Sequence, residues 1–186
     1  MQVEKIQMGT VISGTLRNED LLNAFIDELN WLHFSNGGYQ PEIWSDAKVI
    51  QSKYNTTNEC EEPDFEARES IDESLVSEIV DGLMDAIDEY RLPYTYFGTL
   101  DGDGADFGWW IDFDSMNDSL NESESKSITQ QFRTNGTLSD EEHWIQECNC
   151  PVCISRIGKH GYIVHVNDHG NTTLMDNNRK EIWSVV

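Results

Sequence analysis

The stretch that decides the fold runs from Thr95 to Asp114, "TYFGTLDGDGADFGWWIDFD". It opens and closes with aromatic-rich segments. Between them, Asp101 to Asp106 holds three aspartates and two glycines. Two such segments around a Gly/Asp cluster read as a β-hairpin, Tyr94–Leu100 and Phe107–Asp114, with "DGDGAD" as its turn. In the second strand Phe107, Trp109, Ile111 and Phe113 alternate with Gly108, Trp110, Asp112 and Asp114. One face therefore belongs to a core, and the other shows Trp110 between carboxylates.

Just before the hairpin, "SIDESLVSEIVDGLMDAIDEY" (Ser70–Tyr90) sets Ile71, Leu75, Ile79, Leu83 and Ile87 four apart, with Val76, Val80 and Met84 beside them. That spacing predicts a helix. Its other face carries Glu69, Asp72, Glu73, Glu78, Asp81, Asp85, Asp88 and Glu89. Gly82 inside it costs roughly 1 kcal/mol against Ala, so tertiary packing has to hold this helix. Nearer the start, "RNEDLLNAFIDELNWLHF" repeats Leu21, Leu22, Phe25, Ile26, Leu29 and Leu32 at helical spacing. Asn18 is the expected N-cap, and Glu19 and Asp20 suit the positive end of the helix dipole.

Lys5–Leu16 reads as a strand, Ile43–Ile50 as a short edge strand, and Gln51–Asp64 as a polar loop. Beyond the hairpin, Ser115–Gln131 is rich in Ser, Asn and Glu and reads as a linker or long loop. Three short strands come next, Tyr162–Val166, Thr172–Met175 and Glu181–Val185, with turns "NDHGN" and "DNNRK" and Gly170 at φ > 0. The expected fold is α+β: an antiparallel sheet packed against two amphipathic helices, with a small C-terminal β module. The expected division is an acidic domain over 1–115, a polar linker over 116–131 and a Cys-containing β module over 132–186.

Charge narrows the function. The 186 residues carry a formal charge of −23, and residues 1–128 hold 28 Asp and Glu against 7 Lys and Arg. Between Glu59 and Glu89 there are 13 acids and one base, Arg68. Nothing here would neutralise phosphates, so direct nucleic-acid binding is disfavoured. Solubility asks for a net charge of only about 2–8 in a small domain, and a one-signed field opposes folding. With no apolar leader and no run of about 18–20 apolar residues, the chain is expected in the cytoplasm, with reduced cysteines.

Three constellations are candidate sites. The aspartate loop departs from a calcium-binding EF-hand: Asp101 and Asp103 fit the first and third positions, but Ala105 takes the fifth, Asp106 replaces the glycine bend and Asp112 stands where Glu is usual. A looser calcium or magnesium site competes there with a Gly-rich turn whose aspartates bond their own backbone. His143, Cys148, Cys150 and Cys153 include a C-x-x-C pair suited to structural zinc, with His160, His165 or His169 as further ligands. The third is the acidic helix face. Glu78, Asp81, Asp85 and Asp88 recur every three or four residues, about 4.5–6 Å along the axis, against about 3.4 Å between phosphates on a DNA strand. A charge run is ordinarily a solvated face, but this excess of acid favours a surface that imitates a polynucleotide. No His, Ser or Cys joins the carboxylates at a catalytic spacing, so no enzyme is expected.

"SGTLRNEDLLNAFIDEL" (Ser13–Leu29), "YFGTLDGDGADFGWW" (Tyr96–Trp110) and "VNDHGNTTL" (Val166–Leu174) resemble stretches of small acidic accessory proteins of bacteriophages and prophages. The resemblance implies a phage accessory protein acting in the bacterial host cytoplasm, and it supplies no catalytic residue. With the charge, it leads to an inhibitor of a basic host nucleic-acid-handling protein: a restriction enzyme, nuclease or CRISPR complex, in anti-restriction or anti-CRISPR fashion. Glu78, Asp81, Asp85, Asp88, Asp101, Asp103 and Asp106 are the expected contact residues. The alternative is a metal-binding accessory protein holding zinc or calcium.

Overall fold

The computed structural model describes residues 6–36, 41–57, 62–122, 154–157, 161–167 and 169–185. The chain divides into two units, Met1–Ile111 and Asp112–Val186.

The first unit contains β1 (Gly9–Ser13), α1 (Asn18–Asn36), α2 (Glu42–Tyr54), α3 (Phe65–Glu69), α4 (Glu73–Asp88), β2 (Thr95–Leu100) and β3 (Asp103–Ile111). The three strands form an antiparallel sheet in the order β1-β3-β2. As expected, this antiparallel sheet packs on amphipathic helices. α1 buries Leu21, Leu22, Phe25, Ile26, Leu29 and Leu32. The Phe25 ring meets Phe97 of β2 edge-on at 5.3 Å and Phe107 of β3 at 5.6 Å, and Phe97 meets Trp109 at 5.1 Å. Edge-to-face rings of this kind add about 0.5–1.5 kcal/mol per pair to the burial of their area.

Several elements differ from the sequence reading. Ile43–Ile50 lies inside helix α2, which continues to Tyr54 and so also takes the start of the expected polar loop. Ala47, Ile50 and Tyr54 lie three and four apart and are all buried, the spacing of a helical face. Packing against α1 and α4 overrides propensity. Asn18 is the first helical residue rather than the cap, and its amide donates to the Glu73 carboxylate at 3.2 Å. In α4 the buried set is Val76, Ile79, Val80, Leu83, Ala86 and Ile87, while Leu75 is exposed. Gly82 faces α2: a Cβ at that position would stand 3.0 Å from Ile43 Cδ1, so that side chain would have to shift by a few tenths of an ångström.

The hairpin turn is tighter than read. Only Asp101 and Gly102 link the strands, Gly102 at φ +87°, and β3 starts at Asp103. Gly14 N donates to Ala105 O, so residues 104–106 run along β1 rather than β2. β3 ends at Ile111. Asp112 then caps helix α5 (Phe113–Glu122), accepting from Ser115 N at 2.9 Å. The stretch 116–131 read as a linker thus begins inside a helix, and 123–131 lie outside the described residues.

The second unit also holds β4 (Ile154–Ile157), β5 (Ile163–Val166), β6 (Thr172–Met175) and β7 (Glu181–Val185), an antiparallel meander in chain order. It forms the C-terminal β module with one strand more than read. Val164, Leu174 and Trp183 are cross-strand partners and all buried. The β5–β6 and β6–β7 loops share one geometry. Asn167 Oδ1 accepts from His169 N and Asn171 N, and Asp176 Oδ1 accepts from Asn178 N and Lys180 N. Each loop's fourth residue is left-handed, Gly170 at φ +86° and Arg179 at φ +65°.

β1 approaches the sheet unusually closely at Gly108. A Cβ there would collide with the Gly9 carbonyl and lie 2.9 Å from Thr10 Cα. Gly108→Ala is therefore expected to cost about 3 kcal/mol by chemical denaturation, because backbone has to move. Gly102→Ala meets no neighbouring atom and bears only the left-handed backbone cost, about 1 kcal/mol.

Candidate functional site

Helix α4 begins on Asp72, whose carboxylate accepts from Ser74 N and Leu75 N. With its apolar stripe turned inward, its charged ridge is fixed. Glu78, Asp81 and Asp85 are exposed, and among the described residues no cation pairs with them. No basic residue occupies the last turn, where the helix dipole is negative.

The other expected contact residues differ. Asp88 belongs partly to the fold: its Oδ1 accepts from Phe97 N at 2.8 Å, tying α4 to β2, and its Oδ2 pairs with Arg91 at 3.0 Å. Asp106 is half-buried and accepts from the Thr10 hydroxyl at 3.2 Å, linking β3 to β1. Asp103 is exposed, with one oxygen accepting from Ala105 N at 3.1 Å. Asp101 is exposed at the turn. Phe97 lies four residues along β2 from Asp101, roughly 13 Å of strand, so the helix row and the hairpin tip are separate groups of acids.

Other acids are likewise absorbed. Glu73 accepts from the Tyr54 hydroxyl at 3.0 Å, and Glu19 pairs with Arg17 at 3.0 Å and with Arg68 at 3.2 Å. Arg68 also donates to the Tyr54 carbonyl at 2.9 Å. These bonds join α1, α2, α3 and α4. Burial, then the bond to Glu73, pushes the Tyr54 phenol up to about 12. Its contribution to stability is complete below its ordinary value near 10 and is lost as pH rises through about 12.

Glu28 was not among the expected sites. Its carboxylate accepts from Trp109 Nε1 at 2.8 Å, and the Trp109 side chain is 1% exposed. Burial raises the Glu28 carboxyl above its usual range, and the Trp109 bond acts in the opposite direction. A signal was present: Leu21, Phe25, Glu28 and Leu32 fall four, three and four apart, putting a carboxylate on the apolar stripe.

Among the described residues no group of three or more His, Cys, Asp and Glu side chains is placed to hold a metal ion. In the aspartate loop, the carboxylates of Asp103, Asp106 and Asp112 bond instead to Ala105 N, Thr10 and Ser115 N. The Cys148, Cys150, Cys153 and His143 set, like His160, lies outside the described residues. His165 is on β5, where burial lowers its pKa, and His169 is in the Asn167 loop. Among the described residues no helix is long and apolar enough to cross a membrane. No protein-family model, curated protein or solved structure matches the chain.

The division between absorbed and unpaired acids can be measured. Glu28→Gln keeps an acceptor for Trp109 without a buried charge. Wild type should gain stability relative to Glu28→Gln as pH falls from 7.5 toward 4.5, because a raised carboxyl stabilises the fold in its protonated form. Urea unfolding at several pH values measures this, and parallel curves would contradict it. Asp88→Ala should cost about 1–3 kcal/mol through the orphaned Phe97 N–H and lost ion pair. Asp85→Asn should instead gain about 0.5 kcal/mol by relieving like charge and helix-dipole repulsion.

Proposed function

We propose that the chain is a non-enzymatic phage accessory protein that binds a basic host protein in the bacterial cytoplasm. The host protein would be one that handles nucleic acid: a restriction enzyme, nuclease or CRISPR complex. The chain presents carboxylates where that protein would meet phosphates, and blocks it.

One observation carries the reading. Glu78, Asp81 and Asp85 stand exposed and unpaired by any described cation, on a helix whose last turn has no basic residue. Like charges four apart and acids near a helix C-terminus each oppose folding by a few tenths of a kcal/mol. The core does not require them, since their side chains touch solvent. Acids the fold uses are instead bonded, as Glu19, Glu28, Glu73 and Asp88 are. A row unfavourable to its own helix is understandable where it serves a cationic partner, which it attracts from a distance and orients. The row rises about 4.5 Å and then about 6 Å between successive carboxylates, a loose match to a phosphate strand. Asp101 and Asp103 at the hairpin tip add a second exposed group. Separately, the C-x-x-C spacing supports one structural zinc on Cys148, Cys150, Cys153 and His143, for which elemental analysis of the purified protein is the test.

The function is tested by capture from bacterial lysate on the tagged chain, washed at rising salt and eluted with duplex DNA. A nucleic-acid-binding protein should be retained and released by either treatment. The variant Glu78→Gln/Asp81→Asn/Asp85→Asn/Asp101→Asn should lose capture while melting no lower than wild type. Full capture by that variant, insensitive to salt, would show charge mimicry to be wrong.

A further inference from the structure

One face of the first unit's sheet is turned to α1: Phe97 and Phe107 meet Phe25, and Trp109 meets Glu28. Side chains alternate along a strand, so Tyr96 of β2 and Trp110 of β3 stand on the other face. They are direct cross-strand partners. Both side chains lie down along the sheet toward Gly98, two residues along β2 from Tyr96. The Tyr96 hydroxyl donates to Thr99 O at 3.2 Å, three residues along its own strand, and a Cβ at Gly98 would stand 3.4 Å from Tyr96 Cδ2. Trp110 Nε1 donates to Gly98 O at 3.0 Å. Both residues are half-buried.

The polar atoms of these two rings are thus engaged by backbone carbonyls, and what they offer a ligand is aromatic surface. Acids border it. Asp88, at the end of the α4 row, accepts from Phe97 N at 2.8 Å, so its carboxylate meets β2 between Tyr96 and Gly98, and Arg91 shares it. Asp85 is exposed three residues before Asp88. Asp106 accepts from Thr10, the partner of Gly108, and so adds a carboxylate to the same face of the sheet as Trp110. Ring faces carry partial negative charge and attract cations. A guanidinium is flat and weakly hydrated and stacks on rings, whereas an ammonium is compact and strongly hydrated. A nucleic-acid base would also stack, but its phosphates would be repelled by a chain of charge −23, and a second copy of the chain is a poor occupant for the same reason.

We infer that Tyr96 and Trp110 form a stacking platform for an arginine side chain of the basic partner. The guanidinium lies against the two rings, within the field of Asp85, Asp88 and Asp106. The Asp88–Phe97 bond sets this platform beside the end of the α4 row, so one basic surface can meet both. The inference rests on the proposed role of the acidic surface and sharpens it. Carboxylates attract any cationic partner and speed the encounter, while the rings select arginine over lysine.

The test uses two labelled peptides of about twelve residues and equal charge, one alternating Arg and Ser, the other Lys and Ser. Fluorescence anisotropy at low and moderate salt measures both against the full chain. The Arg peptide should bind wild type about fivefold more tightly than the Lys peptide. In Tyr96→Leu/Trp110→Leu the ratio should fall to about twofold or less, the remainder being guanidinium paired with carboxylates, and the salt dependence should be kept. Trp110→Leu alone should lower the ratio part of the way, and serves if the double variant unfolds. Trp110→Phe keeps a ring without the indole N–H and should retain more of the preference than Trp110→Leu. Trp31→Leu removes an exposed ring from α1, which packs on the opposite face of the sheet, and should leave the ratio unchanged. Equal binding of both peptides to wild type, or a ratio that survives both leucine variants, would overturn the platform and leave the acidic surface standing. A ratio lowered as much by Trp31→Leu as by Trp110→Leu would also overturn it. If neither peptide binds at low salt, the acidic-surface reading fails and the platform with it.

Discussion

The first unit depends on one aromatic contact. Phe25 of α1 is the ring against which Phe97 of β2 and Phe107 of β3 both pack edge-on, and Phe97 passes the contact to Trp109. This joins the helical layer to the sheet at the centre of the core. Trp109 brings a polar N–H into that interior, and Glu28 of the same helix accepts it. Between Phe107 and Trp109, the β1 backbone comes so close at Gly108 that a Cβ there would collide with the Gly9 carbonyl. Three consecutive residues, Phe107, Gly108 and Trp109, therefore serve packing, close approach and packing again.

That dependence recasts the aspartate-rich loop. Its acids look like a site when read along the chain, yet all but Asp101 answer to a local requirement. Gly102 makes the turn, Asp103 bonds the backbone two residues on, Asp106 links β3 to β1, and Asp112 caps a helix. A carboxylate already accepting hydrogen bonds from its own chain is a weaker candidate for gripping an ion. Among the acids of α4 and the hairpin, Glu78, Asp81, Asp85 and Asp101 have no such duty.

The negative charge is managed in two ways. Where acids crowd between helices, Arg17, Arg68, Tyr54 and Asn18 are placed against them. Those bonds also hold α1, α2, α3 and α4 in register, so part of the charge works as mortar. On the outer face of α4 no described cation intervenes, and the amphipathic burial of Val76, Ile79, Val80, Leu83, Ala86 and Ile87 must overcome the repulsion. A stable helix with an unneutralised ridge is the outcome, and this contrast between neutralised and open acids is the strongest pointer to a cationic partner.

Sequence alone determined the features that short-range periodicity encodes. The two amphipathic helices, the paired strands around the Gly/Asp turn, the α+β class and the C-terminal hairpins were all legible, because each is written in spacings of two, three or four residues. The exposed row on α4 was legible for the same reason. Only tertiary structure decided that Ile43–Ile50 is helical rather than extended, since the faces of α1 and α4 that it packs against belong to other segments of the chain. Only the fold separated Asp88 and Asp106 from their exposed neighbours, because the Phe97 amide and the Thr10 hydroxyl that engage them come from other strands. Spacing tells which residues share a face; it does not tell what stands opposite, and for a carboxylate the group opposite decides whether it holds the fold together or remains open to a partner.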